Sequence, residues 1–330
     1  MVADGGALDA EQAADAVTAL TSGDASPVLA AALLTALHIR GETPVEVAGF
    51  ARRLRELGVR ISPRRDGLVD TCGTGGGAVP TFNVSTTAAF VVAGAGVPVA
   101  KHGNRAMTSA CGSADVLEAL GARLDLPPER IRECIETVGI GFLFAQAHHP
   151  AMRHVGPIRR ELPFRTIFNC AAPLTNPAGA RRQVIGVYEE RLVPLLAGAL
   201  VSLGCERALV VHGRDGLDEC STLGSTLAAE VRNGVVETYE FVPEDAGVRR
   251  ARPAEIAPGG SPAENAAITR SVLGGEAGPR LELVLLNAAA ALMVADTVSD
   301  LAAGVDCAAA SVRSGAALAC LNAFVAFTRS

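Results

Sequence analysis

The chain has 330 residues, 29 Lys or Arg against 35 Asp or Glu for a formal charge of −6, and is 49% apolar. That apolar share at so small a net charge excludes a disordered chain, and the length can bury a substantial core in one large domain or two smaller ones. With 10 Phe, 2 Tyr and no Trp, the core must be filled by Ala, Val and Leu, which suit close helix–helix and helix–strand packing.

The opening residues MVADGGALDAEQ carry neither a basic nor an apolar stretch, so no secretory signal is expected. A Ser26-Pro27 pair and the Thr43-Pro44-Val45-Glu46 capping box then start two helices, over 28–37 and 45–57. Residues 1–66 read as a small all-helical unit, closed by the polar SPRRD segment at 62–66. From residue 67 the pattern changes to strands alternating with helices. Leu68-Val69-Asp70 runs as a strand into a glycine turn, helix 84–95 follows, then a strand at 97–100 and a helix from Ser113 that Gly121 stops. Further strands are expected at 140–144, 184–188 and 206–212, and Asn233-Gly234 predicts a hairpin into 235–242. Helices follow over 262–273, opened by a Ser261–Glu264 capping box, then over 280–294 and 304–327. The expected fold is α/β: a small helical N-terminal domain, 1–66, joined by later helices, and a larger domain, 67–330, around a central, largely parallel sheet.

The longest apolar runs, 88–100 and 284–295, fall short of the roughly 18–20 residues that span a bilayer, so no membrane contact is expected. A pI near 5.6 and the lack of a long basic run give no sign of a nucleic-acid partner. The 8 cysteines show no CxxC and no metal-type Cys/His spacing. Reduced, mostly buried thiols in a cytoplasmic protein are therefore expected.

Chemistry concentrates in three places. Gly73-Thr74-Gly75-Gly76-Gly77, between a strand and a helix, can turn with positive φ and aim N–H groups at an anion, although a plain turn would look the same. It has neither the Lys of a phosphate-binding P-loop nor the spacing of a dinucleotide turn. Asn83-Val84-Ser85-Thr86 and Lys101-His102-Gly103-Asn104-Arg105, with Thr108, Ser109 and Ser113 beyond, gather cations, amides and hydroxyls suited to a phosphorylated ligand. Asp215-Gly216-Leu217-Asp218-Glu219 follows an apolar strand, a place for Mg²⁺, but such acidic turns are common without one.

DTCGTGGG (70–77), TFNVST (81–86), KHGNR (101–105), GSADVLEALG (112–121), HHPAM (148–152), RTIFN (165–169), PLTNP (173–177) and DGLDE (215–219) occur in one order. Together they resemble the anthranilate phosphoribosyltransferases, over about residues 8 to 320. The resemblance implies a nucleoside-phosphorylase class II-like fold and transfer of phosphoribose from phosphoribosyl pyrophosphate to anthranilate in tryptophan biosynthesis. It also implies Mg²⁺ and a cytoplasmic homodimer formed through the helical domain. It implies a donor site of Gly73, Gly76, Gly77, Thr81, Asn83, Val84, Ser85, Thr86, Lys101, His102, Gly103, Asn104, Arg105, Ala106, Met107, Thr108, Ser109 and Ser113. Lys101 is then the electrostatic catalyst, with no nucleophile or general base. Gly73, Asn104 and Arg159 would contact anthranilate, and Ser85, Asp218 and Glu219 would hold the metal. His102 and His149 read equally as wall or structural residues. Gly77-Ala78 stands where most relatives have Asp-Gly, which removes one carboxylate that could assist a second metal ion.

Overall fold

The computed structural model describes residues 1–106 and 111–330. The first helices are α1 (Ala10–Ser22), α2 (Pro27–Arg40) and α3 (Pro44–Leu57). Thr43 caps α3 as expected: its hydroxyl accepts from the Glu46 amide, and Glu46 Oε2 accepts from the Thr43 amide at 2.9 Å. Ser26 makes no capping bond, so α2 opens on Pro27 alone, whose fixed φ already suits a first helical position.

Among the described residues, seven strands form one sheet in the order β3-β2-β1-β4-β5-β6-β7. They are β1 (Val69–Asp70), β2 (Val99–Gly103), β3 (Ile140–Phe144), β4 (Arg182–Gly186), β5 (Arg207–Gly213), β6 (Thr226–Arg232) and β7 (Val235–Phe241). β1 to β5 run parallel, and β6 and β7 are antiparallel additions. Asn233 (φ 50°) and Gly234 (φ 80°) make the left-handed turn of the β6–β7 hairpin.

Helix α4 (Val84–Gly94) links β1 to β2, and α5 (Ser113–Ala119) and α6 (Pro128–Val138) link β2 to β3. The β3–β4 connection carries α7 (Ala145–His148), α8 (Gly156–Glu161) and α9 (Ile167–Ala171), and α10 (Leu192–Ser202) leads to β5. After the hairpin come α11 (Pro262–Leu273), α12 (Pro279–Val294), α13 (Leu301–Arg313) and α14 (Ala316–Arg329). Ser261 accepts from the Glu264 amide, but the Glu264 carboxylate bonds the Gly260 amide, so that capping box closes on one side only. The helix expected over 304–327 is two helices bent by 62°, because Gly315, at φ 78°, leaves the helical region. Among the described residues, no single helix is long and apolar enough to cross a membrane.

Two apolar layers enclose the sheet. One packs Phe90, Val91, Leu286, Ala290 and Leu321 of α4, α12 and α14 with Val69, Val99 and Leu209 of the strands. The other joins α1–α3 to the segment Val155–Cys205 and to Ile185, Val210 and Ala229 of the sheet. Phe50 of α3 meets Phe168 of α9 edge-on at 5.5 Å. The helical unit is therefore completed by α8–α10, and the chain crosses between it and the sheet several times.

Candidate active site

The strand ends on one edge of the sheet carry the chemistry. β1 runs into Gly73, which bridges Gly186 at the end of β4, and the Thr74 amide donates to Gly186 O at 2.9 Å. A Cβ on Gly73 would stand 2.8 Å from that oxygen, so only glycine permits this approach. Gly75 and Gly76 follow at φ 68° and 79°, which lets the turn fold back. Arg165 straps it: one guanidinium nitrogen donates to Gly76 O at 2.8 Å, and the group lies 3.6 Å above the centre of the Tyr188 ring.

The glycine turn rests on the acidic turn after β5. The Ala78 amide donates to Gly216 O at 2.8 Å, and a Cβ on Gly77 would lie 2.7 Å from Asp218 Oδ1 and 2.8 Å from Gly216 O. A side chain at position 77 therefore needs the acidic turn to move, so Gly77→Asp changes backbone geometry as well as charge. The start of α4 closes the third side, with the Ser85 amide donating to Glu219 Oε1 at 3.3 Å. Asn83 Nδ2 donates to Cys111 O at 3.1 Å, while its buried Oδ1 has no partner among the described residues. Thr81 donates to Ile256 O at 2.9 Å, and Val84 and Thr86 pack inward.

Burial, then repulsion from Asp218, pushes the Glu219 carboxyl up to about 8. Burial likewise raises Asp218, with Arg165 and His212 opposing. Two desolvated carboxylates beside a hydroxyl residue at a helix start form the oxygen-rich set that a hard divalent cation takes, so Ser85, Asp218 and Glu219 fit Mg²⁺.

Lys101, on β2, is buried at 3% exposure and its Nζ donates to Thr71 O at 2.9 Å. Next to it, the His102 amide donates to Asp70 Oδ1 at 3.1 Å, and Asn176 Nδ2 donates to Asp70 Oδ2 at 2.7 Å. Asp70, Cys72 and His102 bring metal-type atoms within 4.8 Å of one another, but both Asp70 oxygens are already engaged. Gly103 leaves no room for a Cβ against Phe142, 2.7 Å away. Ser113 shuts the following loop, accepting from the Asn104 amide and donating to Asn104 O, both at 3.1 Å. Arg105 instead turns to Glu118 and Asp115, and Asp115 also accepts from the Ala106 amide. Met107, Thr108 and Ser109 lie outside the described residues.

Arg159, on α8, is half-buried, donates to Asn169 Oδ1 at 3.3 Å and lies over the Phe168 ring. Its remaining donors suit a carboxylate. The His102 and His149 rings stand 5.4 Å apart, and burial holds both below the usual histidine range, His149 at about 4. Both are neutral at pH 7. Burial also raises the Cys72 and Cys111 thiols, which keeps both protonated at neutral pH. The sequence reading missed the strap by Arg165 and the Asp70–Asn176 bond. Both residues lie inside quoted motifs, but nothing in a linear string pairs them with their partners.

The helical bundle beside a mainly parallel sheet, with a glycine turn lying on paired carboxylates, matches the architecture of the glycosyl transferase family, whose two domain models both match this chain. The chain matches the helical bundle domain of that family over residues 1–58 and its a/b domain over 65–318. Among individual proteins, it is 56% identical over 327 residues to the anthranilate phosphoribosyltransferase of Symbiobacterium thermophilum, covering 99% of this chain and 96% of that one. It is 55% identical to that of Rubrobacter xylanophilus, covering 98% and 94%. The crystal structure of the Thermus thermophilus enzyme superposes with a TM-score of 0.94 at 47% identity, covering 100% and 98% of the two chains. The Saccharomyces cerevisiae enzyme in complex with PRPP and Mg gives 0.86 at 27%, covering 100% and 93%. The chain belongs to the anthranilate phosphoribosyltransferase family.

Proposed function

We propose that this enzyme transfers the phosphoribosyl group of phosphoribosyl pyrophosphate to the amine of anthranilate, releasing diphosphate, as a step in tryptophan biosynthesis. The observation that carries the reading is the meeting of glycine turn, α4 start and acidic turn, with Gly77 against Asp218 and the Ser85 amide on Glu219. Ser85, Asp218 and Glu219 would hold Mg²⁺, which when bound would supply charge neutralisation for the leaving diphosphate. The N–H groups of Gly73, Gly76 and Gly77 and of the α4 start receive phosphate oxygens, and Lys101 adds a fixed positive field from beneath. Thr81, Asn83, Val84, Ser85, Thr86, residues 101–106 and Ser113 enclose the donor. Arg159 and Asn104, with Gly73, hold the anthranilate carboxylate so that the amine faces C1′. The amine attacks C1′ with its own lone pair as the C1′–O bond to diphosphate breaks, and the proton it then sheds passes to the departing diphosphate or to water, so no protein general base is required.

Residues 1–66 with α8–α10 serve as the helical domain, and 67–330 otherwise as the donor-binding domain. Exposed Val28, Leu29 and Ile39 on α2 suit a homodimer contact on the helical domain. Eight free thiols suit the cytoplasm.

The test is direct. Protein mixed with phosphoribosyl pyrophosphate and Mg²⁺ should quench anthranilate fluorescence, read over a low background because the chain has no Trp. Absence of donor-dependent loss at high enzyme concentration would reject the reading. Arg165→Ala supplies a finer test. It removes hydrogen bonds from a charged group, worth roughly 1.5–3 kcal/mol, so the donor KM should rise about tenfold or more while the anthranilate KM holds. Parallel changes in both KM values would make Arg165 a general packing residue.

A further inference from the structure

Three of the crossings between helical unit and sheet run side by side: 58–62 after α3, the turn at His148–His149, and 173–179 before β4. Main-chain bonds zip them together, Val59 N to His148 O at 2.8 Å and Ile61 N to Pro177 O at 3.1 Å. Between them lies a cavity of about 360 Å³, lined among others by Arg55, Val59, Arg60, Ile61, His149 and Asn176. That volume falls within the range of small-molecule sites.

The charge of this cavity is unbalanced. Arg55 donates through Nε to Leu174 O at 2.6 Å, and Arg60 through Nε to Arg55 O at 3.1 Å. Among the described residues neither guanidinium has a carboxylate partner, although many other arginines of the chain do. Arg55 is also largely desolvated, and burial together with Arg60 pulls its pKa down. His149 lines the same cavity, and its Nε2 meets the Thr175 hydroxyl at 3.3 Å. Two adjacent cations facing a cavity without a counter-charge favour an anion, and Val59, Ile61 and Pro177 offer it an apolar wall.

We propose that this cavity binds a small organic acid, its anionic group between Arg55 and Arg60 and its apolar body against Val59, Ile61 and Pro177. The site is separate from the glycine and acidic turns, so it stands whether or not the transfer reaction does. An occupant would tie the crossings together, and it would lie beside Asn176, which holds Asp70 and through it the His102 amide next to Lys101.

The experiment follows isoleucine methyl resonances of the full chain during titration with benzoate and, separately, inorganic phosphate. Ile61 reports the cavity, and Ile158 reports the surroundings of Arg159. The proposal expects a saturable Ile61 shift with benzoate. Benzoate binding, alone or together with phosphate, supports the organic-acid site, whereas a shift with phosphate alone would overturn it, since phosphate has no apolar body to place on Val59, Ile61 and Pro177. Arg60→Gln, a change at an exposed side chain, should raise the Ile61 midpoint at least tenfold and leave any Ile158 response in place. An Ile61 methyl that stays still while Ile158 moves would overturn the proposal. So would no Ile61 response to either probe, or a midpoint unchanged by Arg60→Gln.

Discussion

Lys101→Met should lower kcat/KM by about 10²–10³-fold, the loss typical of removing one preorganised charge partner from a reacting centre. The ammonium is nearly inaccessible and donates to Thr71 O, one residue before Cys72 and the glycine turn. Its field reaches Asp70 and Glu219, holding both carboxyls lower than burial alone would. Methionine keeps the volume and removes the charge, leaving two desolvated carboxyls without their cation. Breaking a buried ionic arrangement in this way costs roughly 3–5 kcal/mol when the remaining groups stay charged. Asp70 can relieve part of that cost by taking a proton, so the variant should fold with a lowered Tm. Steady-state kinetics on both substrates, alongside a thermal melt, separate the two effects. A lowered Tm with unchanged kcat/KM would make Lys101 a structural residue only.

Much of the fold could be read in the sequence because its signals are local. Thr43-Pro44-Val45-Glu46 contains both halves of a capping box, and Asn233-Gly234 contains both left-handed positions of a hairpin turn. The failures are equally physical. Ser26 sits at the right position for a cap, yet its side chain makes no capping bond and Pro27 suffices. Ser314-Gly315 divides α13 from α14, but one glycine in an Ala-rich run reads as tolerable until both halves are seen to pack on α4. Helix α10 (LVPLLAGALVS) is apolar on nearly every side because it lies between the sheet and α3, so it shows no amphipathic period to detect. The return of α8–α10 to the helical unit depends on contacts such as Phe50 with Phe168, more than a hundred residues apart.

The site was legible in its parts and not in its joints. By residue type, the glycines, hydroxyls, cations and carboxylates suit an anion and a metal but do not by themselves exclude a plain turn or an acidic loop. Their mutual contacts are tertiary: Gly77 against Asp218, Ser85 N on Glu219, Arg165 over Tyr188. Arg105 is another such case: the resemblance places it in the donor site, and its bonds to Glu118 and Asp115 are tertiary contacts that the KHGNR string does not show. Gly77 gains a second meaning from the structure, since the absent side chain concerns space beside Asp218 as well as charge.

Glu219→Gln and Asp218→Asn should each cost about 10²–10³-fold in kcat/KM and raise the Mg²⁺ concentration needed for half-maximal rate. The pH dependence makes the test specific. Without a cation the Glu219 carboxyl, raised by burial and then by Asp218, titrates at about 8 against an ordinary 4.5. A proton therefore competes with the metal at neutral pH, so apparent Mg²⁺ affinity should climb as pH rises and level off above about 8. The sign for stability is opposite. A carboxyl raised in the folded state favours folding below 4.5, and that contribution is lost as pH rises through about 8. The metal-free protein should lose Tm over that window, and Mg²⁺ should restore it. Glu219→Gln removes the ionising group, so both slopes should flatten, whereas Asp218→Asn should lower the Glu219 pKa and shift them to more acid pH. Melting curves with and without Mg²⁺ at several pH values read the stability slope, and Mg²⁺ titrations of the rate read the other. Unaltered Mg²⁺ dependence in Glu219→Gln would place the metal away from the acidic turn.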